Sequence, residues 1–193
     1  MKKLLPVVLL AALPSAAWAH TGVGAVHDFS HGLMHPVSGL DHILAMIAVG
    51  LIAARMGGRA LWLVPLAFVG MMVAGGVLGM TGAPLPFVEL GIGLSVVVLG
   101  AIVAAGVRPP AALAMSLVGV FALFHGHAHG AEAPADVSGL AYAAGFVSAT
   151  ALLHATGAAL GLTAQTRAAG GQTLIRIAGA AMAIAGIAMI GAA

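Results

Sequence analysis

HPVSGLDHILAMIAVG, residues 35–50, places two histidines and an aspartate at the mouth of an apolar run long enough to enter a membrane. An ionisable side chain in lipid costs about 3 kcal/mol even on the mildest insertion scales, so such groups need a partner and mark ion paths or relays. The rest of the chain says what that partner is. Of its 193 residues, 62% are hydrophobic and 6% charged. Its mean hydropathy is +1.14. A soluble domain carries about 25% charged residues, so this is an integral membrane protein whose first partner is the lipid bilayer. The 28 glycines suit close helix packing in lipid. The absence of cysteine excludes disulfides, thiolate metal sites and Fe–S clusters held by this chain. A metal must therefore be held by His, Asp, Glu, Met or backbone oxygen. The pI near 9.7 rests on seven Lys and Arg residues and implies no nucleic-acid partner. Nine histidines outnumber five acids, which is the unusual ratio.

MKKLLPVVLLAALPSAAWAH opens the chain with Lys2 and Lys3, an apolar stretch and Ala17-Trp18-Ala19. This reads as a secretory signal peptide over residues 1–19 with an A-x-A cleavage site, leaving His20 as the mature N-terminus. An uncleaved first helix is the alternative. Residues 20–193 then form one domain. About twenty apolar residues cross a bilayer, and six spans are expected: Pro36–Ala54, Ala60–Met80, Pro86–Val107, Ala111–His125, Ser138–Leu162 and Thr173–Gly191. The fold class is all-α, a polytopic bundle of six transmembrane helices after a cleaved signal peptide. RMGGR, TGAPLP, RPP, HGHAHGAEAPAD and TRAAGGQ supply the turn chemistry between spans.

Arg55, Arg59, Arg108 and Arg167 all fall in the loops that are inside when the mature N-terminus is outside, and Arg176 can snorkel to the same side. The expected setting is a bacterial inner membrane with both mature termini periplasmic. Gly75 with Gly79, and Gly157 with Gly161, are spaced for close helix contact.

On this topology the polar groups gather near the outer face. Pro36 suits a first helical turn, which puts His35 at the entrance. His42 follows seven residues later on the same helix face, with Asp41 beside it. Glu89 opens the third span at similar depth. His125 and His129 share a face if FHGHAHGAE is helical; in an extended chain His127 joins them. His154 lies about sixteen residues into the fifth span, roughly 24 Å deep at 1.5 Å per residue. Imidazole suits Ni, Co, Cu and Zn, and oxygen ligands complete such sites. The candidate metal ligands are His35, Asp41, His42, Glu89, His125, His129 and His154. His20, His27, His31, His127 and Glu132 are auxiliary metal-capture residues. His27, His31 and His35 stand four apart and could form one helical stripe. Met46, Met71, Met72 and Met80 read as packing or lipid-facing residues, and Ser95 and Ser148 as helix-packing polar groups.

These residues carry a resemblance. The chain resembles, over essentially its whole length, the HupE/UreJ family of membrane proteins, associated with nickel supply to hydrogenase and urease. The family's His-x5-Asp-His is matched by His35, Asp41 and His42. Its FHG and AHGAE pattern is matched by Phe124, His125, Gly126, Ala128, His129, Gly130, Ala131 and Glu132. Glu89 and His154 match its remaining positions. The resemblance implies a permease, not an enzyme, carrying Ni2+ inward as substrate, with Co2+ or Zn2+ possible cargo and no prosthetic group. It specifies no oligomer. An intramembrane zinc hydrolase is the alternative, though the chain has no HExxH. A metal sensor or accessory to a separate transporter is a third reading, with no soluble output domain to support it.

Overall fold

The computed structural model describes residues 29–133, 138–166 and 170–192. The expected signal peptide, His20, His27 and Arg167 lie outside them. The described residues form seven helices and no strand: α1 (Phe29–Ser38), α2 (Leu40–Met56), α3 (Ala60–Met80), α4 (Val88–Ala105), α5 (Ala111–Glu132), α6 (Ser138–Thr166) and α7 (Gly170–Ala192). Helices α3 to α7 are each long and apolar enough to cross a membrane. A sixth span results if α1 and α2 count as one broken crossing, and these two meet at 85°.

That break corrects the expected continuous helix from Pro36. The Ser38 hydroxyl turns back onto the His35 carbonyl at 2.6 Å and ends α1. Gly39 then takes an extended backbone (φ −97°, ψ 122°) and starts α2. Pro36 sits inside α1 instead of opening the long helix. A Cβ on Gly39 would stand 2.7 Å from Asp41 Oδ1. The bend and the position of the Asp41 carboxylate therefore depend on the same small residue.

A second correction concerns the fourth expected span. It does not stop near His125; α5 stays helical through Glu132. Each glycine in HGHAHG costs a lone helix about 1 kcal/mol relative to alanine. Here Gly126 and Gly130 have no room for a side chain. A Cβ on either would run into the backbone of α3, at the Met72 and Gly76 carbonyls respectively. Gly75 and Gly79 of α3 lie equally close to Leu123 and His127 of α5. The four glycines make one seam, and close packing offsets the propensity they lack.

Similar contacts give every long helix a direction. Gly157 of α6 packs on Ile47 and Gly161 on Leu51, so α2 and α6 run parallel. Gly100 of α4 meets Gly179 and Ala183 of α7, and Gly93 meets Ile190, so these two are antiparallel. Thr150 of α6 touches Met72 of α3, and His154 meets Phe68 edge to face one turn away in the opposite sense. Helices α2, α4 and α6 therefore point one way, and α3, α5 and α7 the other. This alternation collects Arg55, Arg59, Arg108 and Arg176 at one end of the bundle, and the histidine-bearing ends of α2 and α5 at the other.

Candidate metal centre

α5 presents His125, His129 and Glu132 at helical spacings of four and three, so they line one face. α2 presents Asp41 and His42 in its first turns, and α1 brings in His35 from across the bend. Two triads result. Asp41, His42 and His125 each offer a ligand atom, all within 4.8 Å of one another, and His35, His129 and Glu132 do the same. The triads touch through His42 and His129. His42 Nδ1 lies 3.2 Å from His125 Nδ1 and 3.3 Å from His129 Nε2. A metal with M–N bonds of about 2.1 Å holds its nitrogen ligands roughly 3.0 Å apart at right angles and roughly 3.4 Å apart at tetrahedral angles. His42 Nδ1 already has that spacing from a nitrogen of His125 and from one of His129.

Ser95 of α4 orients the innermost of them. Its hydroxyl donates to the Ile92 carbonyl at 2.6 Å and lies 2.8 Å from His125 Nε2. With its single proton committed, Ser95 accepts from Nε2–H, which leaves a lone pair on His125 Nδ1 facing His42. A hydrogen-bond partner of this kind fixes the tautomer of a metal ligand. His42 Nε2 and His129 Nδ1 are buried without a hydrogen-bond partner, as are both ring nitrogens of His154. A buried unpaired polar group costs about 1–3 kcal/mol. On His42 and His129 these are not the nitrogens that converge, so they are open donor positions beside that cluster and not its ligand atoms.

Aromatic rings wall the site. Phe146 lies 4.6 Å from His129, 5.1 Å from His42 and 5.9 Å from His35, ring centre to ring centre. Tyr142, one turn away on α6, packs on His35 at 5.8 Å and on His31 at 6.0 Å. Phe68 of α3 stands between His125 at 5.9 Å and His154 at 5.1 Å. Tyr142, Phe146, Thr150 and His154 are all buried and recur every fourth residue along α6. The His154 backbone packs on Gly50, eight residues past His42, hence about 12 Å further along α2 at 1.5 Å per residue. His154 is thus a separate, deeper imidazole behind a phenyl ring.

The other expected residues are placed differently. Glu89 is exposed in the first turn of α4, beside Phe87 and Ile190, and joins neither triad. The expected shared face of His35 and His42 does not exist, since the bend separates them; they reach the same region from two helices. His127 turns away from His125 and His129, and its Nε2–H donates to the Ala83 carbonyl at 2.7 Å. His31 is exposed, 6.4 Å from His35 in ring centres. Met46 and Met72 are buried in packing positions, and Met71 and Met80 are exposed. Ser148 is half-buried and bonds back to the Ala144 carbonyl. Ser95 is more than a packing residue. Sequence reasoning also missed Phe68, Tyr142 and Phe146, although the period-four stripe ending at His154 was a readable signal for the last two.

The HupE / UreJ protein family matches residues 8–189. The chain belongs to the HupE/UreJ family. This HupE/UreJ chain is 48% identical over 188 residues to "Protein HupE" of Rhizobium leguminosarum bv. viciae, covering 97% of each chain. No solved structure matches it. Membership and the apolar helices together make it a multi-pass membrane protein.

Proposed function

We propose that this protein carries Ni2+ from the periplasm to the cytoplasm across a bacterial inner membrane. The observation that carries the reading is that His42 Nδ1 lies at ligand spacing from nitrogens of both His125 and His129 inside a membrane bundle, with Asp41 grouped with His42 and His125. Family membership supports transport of nickel or cobalt as the general class. His35, His129 and Glu132 receive the hydrated ion, with exposed His31 in front of them. Neutral imidazoles and ionised carboxylates replace its water and offset its charge in a low-dielectric surrounding. The ion passes to His42, His125 and Asp41, then beyond Phe68 to His154. Three successive stations with few ligands each allow entry without trapping, as conduction requires. Co2+ and Zn2+ fit the same donors, so preference must come from geometry.

The site gives the hydrolase alternative no support. Ser95, the hydroxyl that touches the histidines, spends its proton on a helix carbonyl. The test is uptake by proteoliposomes of the purified protein, with Ni, Co, Zn, Cu and Mn supplied singly and in competition. Nickel uptake that His42→Ala abolishes is the expected result. Tight binding without movement of any metal would make the cluster a holding site and end the carrier reading.

A further inference from the structure

Beyond His154 the interior narrows to glycine contacts: Gly157 on Ile47, then Gly161 on Leu51 and Ala54. A small cavity of about 10 Å3, the space of one water, follows, lined by Leu51, Arg55, Val103, Gly161, Gln165 and Gln172 among others. It lies at the arginine end of the bundle, and one cation spans it. Arg55 Nε donates to the Gly106 carbonyl at the end of α4, and Nη1 donates to Gln172 Oε1 of α7 at 2.7 Å. The guanidinium thus ties α2 to α4 and α7.

The surroundings are shaped to receive it. Gly106 ends α4 in the left-handed region (φ +68°), where side chains are strained, and a Cβ there would stand 2.9 Å from Arg55 Nη2. Two further ties close the same ring of helix ends. Gln165 Nε2 of α6 donates to the Ala54 carbonyl of α2 at 3.1 Å, and Arg176 Nε of α7 donates to the Ala104 carbonyl of α4 at 2.8 Å. The acceptors at Ala54, Ala104 and Gly106 are carbonyls at helix C-termini, which carry partial negative charge and attract cations. A metal ion leaving His154 would be drawn to these oxygens, but Arg55, Arg176 and Gln165 hold them. An arginine is always charged, so a divalent ion in the cavity also meets a fixed like charge.

We propose that Arg55 is the gate at the exit of the metal path: locked onto the Gly106 carbonyl and Gln172 it closes the bundle, and swung away it opens the cavity and frees those oxygens as passing ligands. The proposal rests on the transport reading above and adds the residue that controls release.

Because the chain has no cysteine, Leu51→Cys puts a single thiol inside the cavity. A membrane-impermeant maleimide is supplied to vesicles from the Arg59 side, without metal. Arg59→Cys, at an exposed position, reports orientation and reagent access. With Arg55 intact, Cys at 51 labels slowly. Arg55→Ala raises the rate about tenfold or more, as expected when charge-assisted hydrogen bonds holding a closed state are removed. Gln172→Ala, which keeps the cation and loses one bond, raises it less. Should Arg55→Ala fail to fold, Gln172→Ala carries the test alone. Slow labelling unchanged in the folded variants, or fast labelling with Arg55 present, overturns the gate. Nickel uptake by the unmutated protein is measured in parallel. Its absence overturns the carrier reading and leaves the labelling result readable by itself.

Discussion

The two ends of this bundle solve the problem of buried polarity in opposite ways. At the arginine end the polar side chains close on one another and on helix carbonyls: Arg55 on Gly106 and Gln172, Gln165 on Ala54, Arg176 on Ala104. At the histidine end, nitrogens of His42, His129 and His154 are buried with no partner. Satisfied polar groups lock helices together, whereas unsatisfied ones store affinity for something that is not protein. The difference separates a closure from a binding site, although both are polar clusters in an apolar bundle.

The largest test of that contrast is His42→Ala. It removes the one imidazole that touches both His125 and His129, and nickel affinity should fall by more than the roughly 10–100-fold that an outer-shell partner is worth. Equilibrium metal titration of detergent-purified protein reads it; affinity within twofold of the parent would move the site elsewhere. Gly130→Val comes next and attacks the seam instead of the ligands. Its side chain would meet the Gly76 backbone, and overpacking of this kind costs about 1–3 kcal/mol. A lower thermal midpoint together with weakened metal binding is expected, because the same helix segment carries His129. An unchanged midpoint would mean that α3 and α5 are not held so close.

Ser95→Ala is a finer probe. It leaves the His125 ring without its orienting oxygen, so affinity should drop about tenfold, the low end of what such a partner is worth, and the buried Nε2–H left unpaired lowers the thermal midpoint modestly. If affinity does not change, the His125 tautomer is set by another group. The smallest effect belongs to His127→Ala. His127 sits two residues from each histidine ligand of α5 but bonds to Ala83, so nickel affinity should be nearly that of the parent. A large loss there would favour an extended, three-histidine reading of HGHAHG over the helical one.

Much of the architecture was legible in residue order. Apolar runs of bilayer length located the long helices, and the arginines marked one end, because lipid tolerates neither open backbone nor stray charge. His125 with His129 followed from helical spacing alone. Glu89 shows the limit of that logic. It matches Asp41 in expected depth, but depth says nothing about which way a helix face turns, and α4 turns this carboxylate outward. Ser95 was unreadable as a partner of His125 because thirty residues separate them, and only the placement of α4 beside α5 makes them neighbours.

The sequence by itself determined the solvent, the positions of the long apolar helices, and the donor chemistry, since hydropathy and side-chain type are properties of single residues and short runs. Only the tertiary structure decided that one expected helix is two, that His35 reaches the centre from across a bend, that Phe68 divides the histidines, and that Arg55 closes the far end. Those features arise from how close helices can approach and how they are rotated. Both depend on glycine contacts between segments tens of residues apart, and neither is a property of any one segment.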